Sequence, residues 1–263
     1  MNKFRQTFAI LAAVLAVLAA CSGVGAATFS TVYQFTGYLG GPDGSYPIAP
    51  PVVGPGGVLF GTTRLGGVVN STCPDGCGTV FSLAPPASPG QPWTETILHS
   101  FSAGSDGFWP SAAVTIGANG VLYGTAGGGS PGFGVVFSLR PPTEPGGLWA
   151  ESILYNFAGP DGPGGDGVAP YANLLVSQGK ILYGTTSFGG AYGGGTVFSL
   201  TPSSGGAWTE TILHNFGGEG DGSDVLSGLV LSRGVLYGTT ALGGTSNYGT
   251  VFSLTPPSAP GGI

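Results

Sequence analysis

Four Asp-Gly pairs are the polar residues that recur between the apolar stretches of this chain. Their aspartates are Asp43, Asp106, Asp166 and Asp221. Asp-Gly is typical of tight turns, because the Asp side chain bonds nearby backbone N–H groups and Gly reaches positive φ. Asp-rich loops also supply the oxygen ligands that calcium prefers, although no loop here has the spacing of an EF-hand. We therefore expect structural turns that form candidate ligand-binding loops, with no metal site and with calcium as the alternative.

Two further sets of residues, each at an equivalent place in stretches that recur along the chain, could transfer protons. The first set is Tyr33, His99, Tyr155 and His214, and the second is Glu95, Glu151 and Glu210. Catalytic carboxylates need unequal environments, whereas positions that recur in a repeat favour similar ones. No nucleophile motif, P-loop or zinc spacing accompanies them. We therefore predict structural roles and no catalytic residue.

The first 27 residues have the pattern of an export signal. Lys3 and Arg5 precede an apolar stretch over residues 8–20, which is too short to span a bilayer comfortably. Residues 18–21, Leu-Ala-Ala-Cys, resemble a bacterial lipobox, after which Cys21 would become the lipidated first residue. Ordinary cleavage at the small residues 24–27 is the alternative. We predict an extracytoplasmic protein, either an envelope lipoprotein or a secreted one, with residues 1–27 as signal peptide and 28–263 as the mature domain.

The other two cysteines flank a short turn, Cys73-Pro74-Asp75-Gly76-Cys77. An exported chain meets an oxidising compartment, so this spacing favours a local disulfide. A tetrahedral metal site would need further His or Cys ligands nearby, and free thiols are the remaining alternative.

Composition excludes two classes of partner. Charged residues make up 7% of the chain, and the net charge is −6. No Lys/Arg cluster follows the signal segment, so the chain lacks the basic footprint of a nucleic-acid-binding protein. Docking on anionic lipid is excluded for the same reason, and a membrane link would depend on an N-terminal lipid.

The mature chain is a tandem repeat of one unit. A Leu-Tyr-Gly-Thr-Thr type of stretch recurs at residues 58–63, 121–126, 181–186 and 235–240. A Gly-Thr-Val-Phe-Ser-Leu type follows at residues 78–83, 134–139, 195–200 and 249–254. A Trp-initiated stretch comes next at residues 93–101, 149–157 and 208–216, with a degenerate copy at 28–35. Short apolar segments precede the first type at residues 48–53, 111–116, 171–176 and 226–231.

These stretches predict β-strands, because β-branched and aromatic residues dominate them and Gly or Pro bounds each one. Four strands per unit is the blade of a β-propeller, so we predict an all-β fold of about four four-stranded blades. The ring is either a closed four-blade ring, with residues 28–35 as the missing outer strand of the last blade, or an incomplete larger one. In a propeller the Asp-Gly and Gly-Gly turns would share one face.

The repeated Leu-Tyr-Gly-Thr-Thr, Gly-Gly and Gly-Thr-Val-Phe pattern resembles the GloVer tandem repeat of exported bacterial proteins with varied surface anchors. The resemblance covers nearly all of residues 28–254 and implies a secreted or surface protein. It implies no established activity and no catalytic residues.

Two functions fit these observations. The favoured one is an exported, surface-exposed, non-enzymatic repeat scaffold that binds protein or glycan. The alternative is an extracytoplasmic propeller enzyme, such as a polysaccharide hydrolase or lyase. Binding on the turn-bearing face would use exposed aromatic residues, since positive charge is sparse. The candidates are Tyr46, Phe108, Trp109, Tyr192 and Tyr248.

Overall fold

The computed structural model describes residues 27–37, 41–144, 146–162, 165–177, 181–218 and 220–257. The chain divides into two compact units, Met1–Gln34 and Phe35–Ile263. Regular structure in the described residues is almost entirely β-strand, with short 3-10 turns at Pro55–Gly57 and Ala118–Gly120. The predicted signal peptide up to residue 26, including Cys21, lies outside the described residues.

Four antiparallel sheets follow one another along the chain. The first consists of β1 (Val52–Val53), β2 (Leu59–Thr63), β3 (Thr79–Ala84) and β4 (Thr94–Ser100). The second consists of β5 (Thr115–Ile116), β6 (Leu122–Gly128), β7 (Gly132–Arg140) and β8 (Ala150–Asn156). The third sheet consists of β10 (Leu175–Val176), β11 (Leu182–Thr186), β13 (Thr196–Pro202) and β14 (Trp208–Asn215). Two short strands in this part of the chain, β9 (Gly167–Val168) and β12 (Phe188–Gly189), pair with each other in a separate sheet.

The fourth sheet has three strands in the described residues: β16 (Val230–Ser232), β17 (Val235–Thr240) and β19 (Thr250–Leu254). Short strands β15 (Gly222–Ser223) and β18 (Leu242–Gly243) pair separately. The all-β prediction and the strand order within each unit are therefore confirmed. The prediction that residues 28–35 form a strand is wrong, because residues 27–37 contain no strand. A single extended segment is not stable as a strand without a ladder partner.

A glycine and a phenylalanine explain why the two repeated stretches pair as they do. Gly184 on β11 lies opposite Phe198 on β13, and the Phe198 ring crosses the strand where Gly184 has no side chain. A Cβ at Gly184 would overlap that ring and lie 2.9 Å from Cδ2 of Leu174. The other three sheets place a glycine in the same way, at Gly61, Gly124 and Gly238. The Gly of one stretch and the Phe of the next therefore form one packing unit.

Consecutive sheets pack face to face through a second phenylalanine. The Phe that follows the fourth strand of one sheet packs on the Gly-paired Phe of the next sheet. The ring centroids are 5.3 Å apart for Phe101–Phe137 and 5.2 Å apart for Phe157–Phe198. Phe35 makes the same kind of contact with Phe81 at 5.0 Å. The apolar core is thus a series of layers between sheets. The fourth sheet has no successor in the described residues, and its Val251 is 81% exposed.

The threonine pairs stabilise both the packing between consecutive sheets and the strand pairing within a sheet. The first Thr of a pair donates to a backbone carbonyl of the next unit, as from Thr62 to Ala112 at 2.9 Å and from Thr185 to Ser227 at 3.0 Å. The second bonds across the hairpin, as in Thr186···Thr196 at 2.9 Å. This cross-strand role agrees with the sequence interpretation of the Thr pairs as structural.

Candidate functional site

The short segments that precede the second strand in each of the four units line one cavity of about 640 Å³. This volume is within the range of small-ligand sites. Its wall is made of residues 48–53, 111–116 and 171–173, together with Leu226 and Gly228. None of these residues is charged. Ile48, Tyr171 and Leu226 keep about half of their surface accessible, at 53%, 45% and 54%, so the wall presents apolar side chains to the cavity.

The Asp-Gly loops lead directly into this wall. In each unit the loop pairs with the Gly-rich turn between the second and third strands. β9 pairs with β12 in this way, and β15 pairs with β18. Single bridges, Ser45↔Leu65 and Phe108↔Gly127, do the same in the first two units. The two turn families therefore meet, as the strand order predicted.

The carboxylates of the Asp-Gly pairs are used within their own loops. Asp106 accepts hydrogen bonds from the Ser102 N–H at 2.8 Å, the Ser102 hydroxyl at 2.8 Å and the Gly104 N–H at 3.0 Å. Asp166 accepts from the Ala158 and Gly167 N–H groups, both at 2.6 Å. Both side chains are buried. Such side chains shape the loop rather than project from it.

The other two aspartates make related contacts. Asp43 is buried and accepts from the N–H and hydroxyl of Thr36 at 2.8 and 2.9 Å. Asp221 accepts from the Gly222 N–H at 2.7 Å and contacts His214 Nε2 at 2.9 Å. Ligand binding at the four loops stays a prediction, and it would use the loop backbone and neighbouring rings rather than these carboxylates.

Sequence reasoning missed a strained backbone position three residues after each Asp. Tyr46, Trp109, Ala169 and Asp224 have φ of 58°, 54°, 59° and 59°, which non-glycine residues seldom adopt. The N–H of Trp109 donates to Cys77 of the preceding unit at 2.7 Å, and that of Ala169 donates to Phe133 at 2.8 Å. These bonds fasten consecutive units together. Residue type does not predict the positive φ, because these four residues have in common only their distance from the Asp-Gly pair.

Side chains of the recurring His, Tyr and Glu residues form two polar bridges between consecutive sheets. His99 Nε2 lies 3.5 Å from Asp106 Oδ2 and 3.3 Å from Glu151 Oε1 of the next sheet. The Tyr155 hydroxyl lies 2.9 Å from Asp166 Oδ2 and 3.2 Å from Glu210 Oε2. The same arrangement therefore recurs, with His in one bridge and Tyr in the other.

Burial disfavours the charged forms of Glu151, Glu210 and His99 in these bridges. Burial, followed by the charge of Asp106, raises the pKa of Glu151 to about 7. Burial, followed by the charge of Asp166, raises the pKa of Glu210 to about 8. Burial lowers the pKa of His99, although Asp106 opposes this shift. Desolvation disfavours the charged form of each group, so Glu210 is mostly a neutral acid at pH 7.

The first unit carries a disulfide between Cys73 and Cys77, whose Cα atoms are 5.1 Å apart. Both cysteines are fully buried. The Asp75 carbonyl between them accepts from the Gly66 N–H at 2.9 Å. Because the Cys77 carbonyl also accepts from Trp109, the disulfide turn is attached to the Asp-Gly loop of the second unit.

The five aromatic residues predicted on the face that bears the Asp-Gly and Gly-Gly turns differ in exposure. Tyr46, Tyr192 and Tyr248 are exposed, at 58%, 67% and 91%. Phe108 and Trp109 are half-buried instead, because their rings pack edge-on at 4.8 Å. The Arg64 guanidinium lies 5.5 Å from the centroid of the Trp109 ring.

Two features are absent from the described residues. In this part of the chain no group of three or more His, Cys, Asp or Glu side chains is placed to hold a metal ion. Nor do these residues contain a helix long and apolar enough to cross a membrane.

Comparison with known proteins identifies the repeat. No curated protein matches the chain. Residues 67–261 match the Gloeobacter/Verrucomicrobia repeat family. That match covers most of the chain and includes the Gly–Phe packing unit of the second, third and fourth sheets. The chain therefore belongs to the Gloeobacter/Verrucomicrobia repeat family.

Proposed function

We propose that this protein is an exported, surface-exposed repeat scaffold without enzymatic activity, and that it binds a protein or glycan ligand. In this proposal the four sheets are the blades of a β-propeller arranged around the shared cavity. The ligand enters the cavity from the side of the Asp-Gly loops, whose aspartates lie five residues before the first wall residue of each unit.

The observation that carries this proposal is the common cavity. Equivalent segments of four units contribute to one uncharged wall, and such a wall suits an uncharged or apolar group. Loops held by a rigid scaffold are where binding usually resides. The exposed Tyr46 lies two residues before the wall residue Ile48 in the chain, and its ring is a candidate further contact for the ligand.

One observation favours the enzymatic alternative, namely the raised pKa values of Glu151 and Glu210. A carboxylic acid that is neutral at pH 7 is the usual general acid of glycoside hydrolysis. The two groups recur in equivalent bridges, however, and each contacts partners within the fold. We therefore assign them to the attachment between sheets.

Cavity variants test the proposed binding site. The wild-type protein is screened by biolayer interferometry against immobilised oligosaccharides and purified envelope proteins. For each ligand found, Leu226→Arg places a charge in the apolar wall and should weaken binding by about tenfold or more. Leu148→Arg is the matched control, because Leu148 is 91% exposed and lies outside the cavity wall. A ligand bound equally by both variants would contradict the cavity as the site.

Export is tested separately. In a Gram-negative host fed labelled palmitate, the wild-type protein should incorporate label and Cys21→Ala should not. A mature N-terminus near Ala27 or Thr28 without label would contradict lipidation while retaining export. Protein retained in the cytoplasm would contradict both.

A further inference from the structure

A second concave site lies between the second and third sheets, apart from the shared cavity. It is a groove of about 420 Å³ lined by Tyr155 of β8 and by Trp208, Thr209, Glu210 and Ile212 of β14. None of these residues lines the cavity. Trp208 is half-buried, and an edge contact with Tyr123 at 6.3 Å holds its ring between the sheets.

The polar wall of this groove is preorganised. The Tyr155 hydroxyl has one proton but lies within hydrogen-bond distance of two carboxyl groups, Asp166 and Glu210. Both contacts are satisfied when Tyr155 donates to Asp166 and a protonated Glu210 donates to the phenolic oxygen. In the described residues Glu210 Oε1 is buried without a hydrogen-bond partner, which also favours the neutral acid. The wall therefore contains a neutral carboxyl group, which the contact with Tyr155 holds in one orientation.

We propose that this groove binds a neutral sugar unit, with Trp208 as the stacking surface and Thr209 and Glu210 at its polar rim. This site goes beyond the proposed function, because it lies outside the cavity and is independent of the Asp-Gly loops.

The chemistry of the groove selects this ligand class. A pyranose has one apolar face of C–H groups and a rim of hydroxyls, so it matches an aromatic ring bordered by donors and acceptors. No Lys or Arg lines the groove, so an anionic ligand would have no counter-charge. The exposed Thr209 hydroxyl already contacts Ser203 at 2.9 Å, and that contact fixes it at the rim. The volume lies within the range of small-ligand pockets.

Calorimetric titration of the folded protein with defined oligosaccharides tests the proposal. The neutral probes are cello-, xylo-, malto- and N-acetylated chito-oligosaccharides. Glucosamine oligomers serve as the cationic probe and galacturonic acid oligomers as the anionic one. Trp208→Ala should weaken binding of the neutral probe by about tenfold, which corresponds to the loss of one aromatic face.

The repeat provides matched controls. Trp149→Ala removes the equivalent ring between the first and second sheets, where Trp149 packs on Phe60 at 6.0 Å, and it should leave binding within about twofold. Thr209→Arg blocks the rim without altering the core, so it keeps the test decisive if Trp208→Ala fails to fold. Its control is Ala150→Arg, since Ala150 is exposed at the equivalent position.

Binding of a neutral probe that both Trp208→Ala and Thr209→Arg weaken supports the site. Three results overturn it: no neutral probe binds, only a charged probe binds, or a neutral probe binds these variants as well as wild type. A probe that is lost in Leu226→Arg but kept in Thr209→Arg would overturn this inference and support the proposed cavity site.

Discussion

Gly184→Ala should destabilise the protein by forcing a methyl group into the packing unit of the third sheet. The new Cβ would lie 2.8 Å from Cε1 of Phe198 and 2.9 Å from Cδ2 of Leu174. Both neighbours are buried, and the Phe198 ring is held from the other side by Phe157. Neither side chain can move aside without disturbing the layer between the second and third sheets.

The size of the effect follows from this overlap. Overpacking of a well-packed core costs about 1–3 kcal/mol, and overlap with two buried side chains places Gly184→Ala in the upper half, at about 2–3 kcal/mol. The unfolding temperature should then fall by about 4–12 °C. Phe198→Leu alone should cost about 1–2 kcal/mol from lost burial. In the double variant the smaller side chain makes room for the methyl group, so the two costs should fall short of additivity by about 1–2 kcal/mol.

The assay is thermal and urea unfolding of the four proteins in this cycle. Gly218→Ala is the control, because the nearest atom to its added Cβ is Tyr192 Cε2 at 4.0 Å, and its effect should stay within about 0.5 kcal/mol. If Gly184→Ala is as stable as wild type, or if the double variant is additive, the Gly–Phe packing unit is refuted.

Three further perturbations have expected outcomes. Thr186→Val should lower the free energy of unfolding in urea by about 1–3 kcal/mol, because it leaves the buried Thr196 hydroxyl without its partner. The double variant Thr186→Ala with Thr196→Val copies the Ala126–Val135 pair of the second sheet. It should lower the free energy of unfolding by less than the sum of its single changes. Reduction of Cys73–Cys77 should lower stability by only about 2 kcal/mol, since the closed loop is short, and two free thiols in mass spectra of exported protein would contradict the disulfide. Wild-type stability should fall as pH rises from the ordinary carboxyl range through about 8, because folded Glu210 binds its proton more tightly than the unfolded chain does; a pH profile equally steep in Glu210→Gln would contradict this assignment.

The strands of the four main sheets could be predicted from the sequence because each one is repeated. Gly and Pro bound the stretches, and four copies of a pattern separate constant positions from variable ones. The predicted stretch at residues 181–186, for example, contains the observed strand Leu182–Thr186. Residues 28–35 were mispredicted because likeness to a repeated stretch marks a segment able to form a strand, whereas pairing requires a neighbour.

The contacts between units could not be predicted in the same way. The sequence places His99 and Glu151 in different repeats, and only the packing of consecutive sheets brings them to 3.3 Å. The strained positions at Trp109, Ala169 and Asp224 donate backbone hydrogen bonds to the preceding unit, so side-chain type carries no signal. The Asp-Gly pairs were recognised as turns, but the burial of their carboxylates depends on the fold around them.

Intramolecular cross-linking tests most directly whether the four repeat units surround one cavity, as we propose. Ile48 of the first unit and Leu226 of the fourth line the same cavity. Ile48→Cys combined with Leu226→Cys should therefore be joined within one molecule by a short bismaleimide, with each single-cysteine variant as the control for links between molecules. Mass spectrometry of the monomer should identify the 48–226 peptide pair. In a linear stack, sheets spaced ~10 Å apart would place the first and fourth units roughly 30 Å apart. The absence of an intramolecular link in the folded double variant would contradict the account.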